Sequence, residues 1–250
     1  MCRILAIKGK IGGENAMLIL EEFRNLAEYG NTPVRSGRGH KDGWGYVAYK
    51  GGRLVLYEKN PQNAFADPLF RKTVERISRA GCGLIVGHLR KISTSGKSKE
   101  NTHPFLWKNF SFCHNGTIFE SGNIALSEQF KRLPKGKTDS EKYFARILQE
   151  ISANGRNDSR TTKRSILASI KYINDNFDYT ALNMAFSDGK SLWIAREVNA
   201  KNFFVKKKKL LSYYSLYVGK NKGYRIVSSE KLPLKNVRWT AIENHKLFKI

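Results

Sequence analysis

The apolar residues of this 250-residue chain follow two kinds of spacing. Strand patterns prevail in the first and last parts of the chain, whereas the middle, at 140–176, follows a helical spacing. Strands, then helices, then strands favour an α+β fold built of packed layers. No Pro- or Ser-rich linker and no internal repeat divides the chain, so we predict one domain over residues 1–250.

The patterns place most elements by residue. In the first half they predict strands at Cys2–Lys8, Trp44–Lys50, Arg53–Lys59, Leu84–His88 and Phe110–His114, and helices at Glu14–Glu28 and Pro68–Arg79. In the second half they predict helices at Ser140–Asn154 and Thr161–Asn176, and strands at Ala181–Ser187, Ser191–Arg196, Leu210–Gly219, Tyr224–Ser228 and Val237–Ile242. Gly51-Gly52 and Asp188-Gly189 each predict a hairpin turn.

The chain is strongly basic, with 45 Lys+Arg against 21 Asp+Glu and a formal net charge of +24. Such a charge permits binding to nucleic acid or to an acidic partner protein. The basic residues are spread along the chain, however, and the one dense run is Lys206–Lys209. No zinc-finger, RNP-like or KH-like motif accompanies it. We therefore favour a solvated basic surface and expect nucleic acid not to be the main partner.

The number and spacing of the cysteines indicate a reducing compartment. The count of three is odd, the spacing is wide and no CxxC occurs, so a disulfide framework or a structural zinc site is not expected. No long apolar stretch precedes a cleavage site near the start, and no apolar run approaches the roughly 18–20 residues of a membrane span. We expect a cytoplasmic protein in which Cys82 and Cys113 are small buried apolar residues.

Cys2 differs from the other two because it directly follows the initiator Met. Removal of Met1 would place a thiol and an α-amine on one residue, and the ordinary pKa of such an amine is about 7.7–8.0. A neutral amine can take the thiol proton, so one residue would supply both nucleophile and general base for acyl transfer. A cysteine at position 2 by chance is the alternative.

Acyl transfer also needs donors for a developing oxyanion. Asn115-Gly116 qualifies, because the asparagine offers an NH₂ group and the glycine lets the backbone approach a ligand closely. The local alternative is a type I′ turn between two strands, where Asn-Gly is the favoured pair.

A substrate with an α-carboxylate and an α-ammonium group needs an arginine and an acid. Arg90 follows a predicted strand and can bind a carboxylate in a bidentate manner. Asp139 can pair with the ammonium, and a plain helix N-cap is its alternative. His103 lies in the polar segment Asn101–Phe105, where simple exposure is the alternative to a role in binding.

Six motifs occur in an order that resembles one family. They are MCRILAI at the start, HKDGWGY at 40–46, GHLRKIST at 87–94, NTHPF at 101–105, FCHNGTI at 112–118 and TDSE at 138–141. Together they resemble the class II, or N-terminal-nucleophile, glutamine amidotransferases, in the variant similar to stand-alone bacterial and archaeal members. The later segments LNMAFSDGKSLWIAR and YRIVSSEKL are also similar to the C-terminal strands of that family, so the resemblance covers most of the chain.

The resemblance implies a four-layer αββα sandwich of the N-terminal-nucleophile hydrolase type. It also implies roles for the motif residues: Cys2 as nucleophile, Asn115 and Gly116 as the oxyanion hole, Arg90 on the substrate α-carboxylate, Asp139 on the α-ammonium, and His103 and Ser93 on the substrate side. His40, Asp42, Gly43 and Trp44 would shape the pocket floor without a chemical step.

The implied reaction releases ammonia and glutamate from glutamine through a γ-glutamyl thioester, with no metal or organic cofactor. Two departures from the family leave the substrate open. The match runs nearly to Ile250, so no second domain that consumes ammonia is expected, although a synthase subunit could be a partner. Arg38-Gly39-His40 stands where the purine enzymes have Arg-Gly-Gln. Hydrolysis of another γ-glutamyl amide or peptide by the same machinery is therefore the alternative to glutamine.

Overall fold

A computed structural model describes residues 2–32, 37–92, 95–155, 158–199 and 211–250 of the chain. The strands are β1 (Arg3–Gly9), β2 (Gly43–Lys50), β3 (Arg53–Asn60), β4 (Leu84–Arg90), β5 (Phe105–Trp107), β6 (Phe110–Asn115), β7 (Asn183–Ser187), β8 (Leu192–Arg196), β9 (Tyr217–Lys220), β10 (Tyr224–Ser228), β11 (Arg238–Ala241) and β12 (Lys246–Lys249). The helices are α1 (Gly13–Tyr29), α2 (Pro68–Ala80), α3 (Glu128–Lys131), α4 (Asp139–Ala153) and α5 (Ser159–Asn176), with a 3-10 turn at Ser121–Asn123.

The strands of the described residues form two antiparallel sheets. The first has seven strands in the order β11-β9-β10-β1-β4-β2-β3, and the second has five in the order β12-β8-β7-β6-β5. Strand β1 pairs with β10 on one side and β4 on the other, so the two ends of the chain contribute neighbouring strands to one sheet.

Three apolar layers separate four layers of secondary structure. On β1, Leu5 and Ile7 pack against α1 and α2, whereas Ile4 and Ala6 pack between the two sheets. A further layer joins the second sheet to α4 and α5, with Phe112 and Ile147 among its members. The alternation along β1 therefore reflects two buried faces of the sheet, and the predicted four-layer αββα sandwich is confirmed.

Local signals in the sequence account for most element boundaries. Asp67 caps α2 by accepting a hydrogen bond from the Leu69 N–H, Pro68 occupies the first helical position, and Gly81 ends the helix in the left-handed conformation. Most of the predicted strands and helices are found at or within a few residues of their expected bounds. Of the helices described by the structure, none is long and apolar enough to cross a membrane.

Two local predictions are wrong. The strand predicted at Leu210–Gly219 begins only at Tyr217, and residues 211–213 are helical because the adjacent Tyr213 and Tyr214 are both buried against Ala181 and Val198. Such neighbouring burial does not fit the alternation of a strand. The alternative of a hairpin turn at 115–116 also fails, since helices separate β6 from β7 and neither residue has a positive φ.

The ends of four strands meet at one end of the sandwich. The start of β1 lies beside the end of β4, where Arg3 pairs with Leu89, and the start of β2 lies on the other side of β4, where Gly43 pairs with Arg90. The end of β6 reaches the same place from the second sheet, because the Cys2 nitrogen contacts Asn115. This end gathers the residues that the sequence motifs singled out.

Candidate active site

Cys2 lies immediately before β1 and is half-buried. Its backbone nitrogen donates to the side-chain oxygen of Asn115 at 3.2 Å, and its thiol lies 3.7 Å from the Lys91 carbonyl oxygen. Cys2 thus touches both sheets, because its nitrogen contacts the end of β6 and its thiol lies next to the segment that follows β4.

Asn115 is the last residue of β6 and is 1% exposed. Its Oδ1 accepts from the Cys2 nitrogen, which leaves its Nδ2 as a buried donor with no hydrogen-bond partner among the described residues. Gly116 follows, and a Cβ at this position would stand 1.8 Å from the Ala181 carbonyl oxygen. Only glycine fits there. Asn115 keeps an unused amide donor on the same carboxamide that contacts the Cys2 nitrogen.

Arg90 ends β4 rather than following it, and is 3% exposed. Its Nη2 donates to the Ser95 hydroxyl at 2.9 Å, to the Ser95 carbonyl at 3.0 Å and to the Gly96 carbonyl at 3.0 Å, whereas the buried Nη1 has no hydrogen-bond partner within the described ranges. Burial lowers the pKa of the guanidinium, and the neighbouring Cys2 thiolate would raise it. An anion at this place would meet a fixed, desolvated cation.

Asp139 is the first residue of α4, and Thr138 before it is the N-cap. The N-cap alternative for Asp139 is therefore wrong. Its Oδ2 accepts from the Ile118 N–H at 2.7 Å, two residues beyond Gly116, while the Ser140 hydroxyl lies 3.4 Å from Oδ1. One carboxylate oxygen is thus fixed by the segment after β6, and the other retains capacity for a cation.

Two buried histidines, His114 and His88, connect these groups. His114 Nε2 lies 3.0 Å from the Ala181 carbonyl, so it must donate, and Nδ1 then accepts from the Ser140 hydroxyl at 2.9 Å. This bond ties the start of α4 to the end of β6. His88 Nε2 donates in the same way to the His114 carbonyl at 3.3 Å. The end of β6 is therefore held from both sides.

His103 is 4% exposed and stacks on His88 with ring centroids 4.1 Å apart. Neither of its ring nitrogens has a hydrogen-bond partner in the part of the chain that is described. Burial lowers the pKa of His103 well below its usual value, and lowers that of His88 to about 3. Both rings are neutral near pH 7, and the alternative of an exposed His103 is wrong.

The residues expected to shape the pocket floor lie in three different surroundings. The Asp42 carboxylate accepts from the Ile92 N–H at 2.8 Å and so holds the segment after β4. His40 is fully buried, with Nδ1 3.0 Å from the Leu26 carbonyl. Trp44 belongs to the layer beneath α1 and α2, where its indole N–H donates to Asp67, so the floor prediction is wrong for this residue.

Two sequence predictions concern positions that the structure does not describe. Ser93, proposed as a hydroxyl beside the arginine, and the basic run Lys206–Lys209 both lie outside the described residues. Cys82 and Cys113 are 2% and 0% exposed, as predicted. Among the described residues, no three His, Cys, Asp or Glu side chains group in a way that could hold a metal ion.

Arg3 is a residue of the site that the sequence did not reveal. It is 1% exposed, donates through Nη1 to the Cys2 carbonyl at 3.2 Å, pairs with Glu230 and lies 4.3 Å from the centroid of the Tyr213 ring. A charged residue in an alternating strand carries no signal of such burial. Arg3 fixes the backbone immediately after the thiol.

Comparisons with known proteins point to one family. The sequence profile described as "Glutamine amidotransferases class-II" matches residues 1–248. "Putative glutamine amidotransferase YafJ" of Escherichia coli strain K12 is 31% identical over 204 residues, which cover 76% of this chain and 71% of that protein.

Solved structures share the fold at lower identity. A glutamine aminotransferase class-II domain protein from Silicibacter pomeroyi superposes with a TM-score of 0.63 at 22% identity, covering 100% of this chain and 94% of that one. Glutamine phosphoribosylpyrophosphate amidotransferase from B. subtilis superposes with a TM-score of 0.67 at 14% identity, covering 100% of this chain but 47% of that one. This chain thus corresponds to about half of the second protein.

Proposed function

The chain belongs to the class II glutamine amidotransferases, and on that premise we propose that it hydrolyses the side-chain amide of glutamine with Cys2 as nucleophile. One observation carries the proposal. The Cys2 nitrogen lies 3.2 Å from Asn115 Oδ1, and the Nδ2 of the same carboxamide is buried without a partner among the described residues. One contact therefore joins Cys2, which would supply the nucleophile and its base, to Asn115, which would supply an oxyanion donor.

The first step uses both functional groups of Cys2. Removal of Met1 turns the nitrogen beside Asn115 into an α-amine, which takes the thiol proton. The thiolate attacks the amide carbon, and the oxyanion accepts hydrogen bonds from Asn115 Nδ2 and the Gly116 N–H. The amine then returns the proton to the leaving nitrogen, so that ammonia departs and a γ-glutamyl thioester remains. Water activated by the same amine releases glutamate and restores the thiol.

The head group of the substrate fits the charges around the thiol. The buried Nη1 of Arg90 can donate to the α-carboxylate, and the Asp139 oxygen not held by Ile118 can accept from the α-ammonium. The neutral His103 offers one donor and one acceptor on the same inter-sheet face. We assign it, together with Ser93, to the substrate side of the site.

The same head group occurs in γ-glutamyl amides and peptides, so these are the competing substrates. The rate of glutamate release per substrate, expressed as kcat/KM, separates them from glutamine, because specificity is the ratio of these values. A synthase subunit that consumes the ammonia, and a cytoplasmic location, belong to this proposal as well. The pairing of β1 with β10 supports a single domain over residues 1–250, because the two ends of the chain share one sheet.

The mature protein and a Cys2→Ala variant test the mechanism. Intact mass should show that Met1 is absent, and glutamate release from glutamine should be lost in Cys2→Ala. Cys82→Ala is the matched control, because this buried thiol belongs to the core beneath α1 and α2 and should leave turnover in place. A protein that keeps Met1 at full activity, or a Cys2→Ala variant with comparable turnover, would refute the assignment.

A further inference from the structure

Four basic residues lie in register across four neighbouring strands of the first sheet. Lys8 of β1 pairs with Arg225 of β10, Arg225 pairs with Lys220 of β9, and Lys220 pairs with Arg238 of β11. Residues directly opposite each other in antiparallel strands point to the same face. The four side chains, which we call the cation row, therefore form a continuous line across the sheet.

The cation row lies where the apolar layer between the sheets ends. Ala6, Val227 and Val218 belong to that layer. Each of them lies two positions along its strand from a member of the row, on the side of the nucleophile. Lys8 is half-buried, and Arg225, Lys220 and Arg238 are exposed. Strand β1 runs from the nucleophile toward the row, and at about 3.3 Å per residue Lys8 lies roughly 20 Å from Cys2.

The positive charges of the row are not neutralised within the described residues. None of the four side chains takes part in an ion pair there. The Nζ of Lys8 donates to the Lys190 carbonyl in the turn between β7 and β8, so Arg225, Lys220 and Arg238 are the exposed members of the row. Burial and the nearby Lys249 lower the pKa of Lys8, whereas Asp188 raises it. Like charges directly opposite each other destabilise a sheet. A row of this kind is therefore costly to the free protein and favours a bound anion.

We propose that the cation row binds an acidic helix of a partner protein. Neighbouring strands are about 4.7–4.9 Å apart, so the cations recur at nearly the pitch of an α-helix, about 5.4 Å per turn. A helix laid across β10, β9 and β11 with a carboxylate at every third or fourth position would place one acidic group over each of Arg225, Lys220 and Arg238, the three exposed members of the row. Lysine and arginine side chains are long enough to absorb the small difference in spacing.

An acidic helix fits this surface better than a nucleic acid does. Single strands are bound through aromatic side chains on which bases stack, and the neighbours of the row on this face are Val218, Val227 and Thr240. Base readout in a duplex needs a helix or a ribbon that enters a groove, and the row lies on the face of a sheet. Its distance from Cys2 means that the bound partner leaves the active site open.

Charge reversal with a matched control tests the proposal. The probe is an alanine-rich helical peptide with a glutamate at every fourth position, and binding is followed by fluorescence anisotropy at low salt. Lys220→Glu/Arg225→Glu should weaken binding by about tenfold or more, because each reversal replaces an exposed ion pair by a repulsion. Arg71→Glu/Lys72→Glu carries the same charge change on exposed positions of α2 and should bind like the parent protein.

Glutamate release from glutamine should be equal in all three proteins, which shows that the variants are folded. Equal weakening in both double variants would overturn the proposal, since the attraction would then come from net charge alone. Absence of peptide binding at low salt would also overturn it. Tighter binding of a duplex DNA than of the peptide, lost in Lys220→Glu/Arg225→Glu, would make the row a nucleic-acid surface instead.

Discussion

The backbone nitrogen of Cys2 and the side-chain oxygen of Asn115 are 3.2 Å apart, across the gap between the two sheets. In this contact the Cys2 nitrogen donates and the carboxamide oxygen accepts, which sets the orientation of the carboxamide. The NH₂ group of Asn115 then faces away from the Cys2 nitrogen and has no hydrogen-bond partner among the described residues. The bond that holds the proposed base thus also aims the proposed oxyanion donor.

Replacing Asn115 with Ala or Asp should lower kcat for glutamine by about 10²–10³, the usual effect of removing one oxyanion donor. KM should change little, because the donor acts on charge that develops after binding. Steady-state kinetics of glutamate release measure both constants. Asn115→Asp is the sharper variant, since it keeps the size of the side chain and an oxygen for the Cys2 nitrogen. Near-normal kcat in this variant would contradict the donor role, and Asn123→Ala on an exposed 3-10 turn is the control.

Gly116→Ala should destabilise the protein by roughly 1–3 kcal/mol and lower activity, because overpacking moves the backbone. The new Cβ would stand 1.8 Å from the Ala181 carbonyl oxygen, and neither backbone segment can give way without moving the end of β6. Urea unfolding and glutamate release measure the two effects. Gly122→Ala provides the comparison, since the nearest atom to its Cβ is 3.8 Å away at the tip of Lys142. Equal stability of the two variants would count against the tight fit.

Much of the fold could be predicted from the sequence because its signals are local. The helical spacing in α1, α4 and α5 and the hairpin turns at Gly51-Gly52 and Asp188-Gly189 each lie within a few residues. β5 and β12 were not predicted, because each is a four-residue strand or shorter at a sheet edge. Which strands pair is a long-range property that local periodicity does not contain.

The residues of the candidate site likewise divide into those that the sequence could single out and those that it could not. Cys2, Arg90 and Asn115 could be singled out because thiol, guanidinium and carboxamide groups suit acyl transfer from an amino acid. Arg3 could not, because its importance comes from burial against Tyr213 and Glu230, which are far away in the sequence. The prediction that Trp44 lies in the pocket floor failed for a related reason. The face of β2 on which its side chain lies is packed against the helices, and the sequence does not show which face that is.

Arg90→Lys should raise KM for glutamine by about 10–150-fold, the equivalent of roughly 1.5–3 kcal/mol for a hydrogen bond to a charged group. Lysine keeps the charge but loses the fork that binds Ser95 and Gly96 while presenting Nη1 to the substrate. The effect should shrink for 4-aminobutyramide, which has the amide but no α-carboxylate. An equal loss on both substrates would indicate a structural role, and an unchanged KM would exclude Arg90 from carboxylate binding.

Acid should unfold the protein through its buried histidines. Burial lowers the pKa of His88 to about 3 and of His40 to about 2, whereas the unfolded chain takes up a proton near pH 6.5. Below pH 6.5 the unfolded state therefore binds more protons than the folded state, and the free energy of unfolding falls as pH falls. Each histidine contributes a slope of about 1.4 kcal/mol per pH unit in this window, measured by urea unfolding from pH 8 to 5.

His88→Gln should make that slope shallower by about 1.4 kcal/mol per pH unit, the share of one proton. Glutamine is chosen because its side-chain NH₂ group can replace His88 Nε2 as the donor to the His114 carbonyl, so the end of β6 keeps its support. Above pH 7.5 the unfolded chain no longer protonates its histidines, and the curves of parent and variant should run parallel there even if the variant is less stable. A variant whose slope below pH 6 equals that of the parent would show that His88 binds a proton equally in both states, and that its burial does not exclude the charged form.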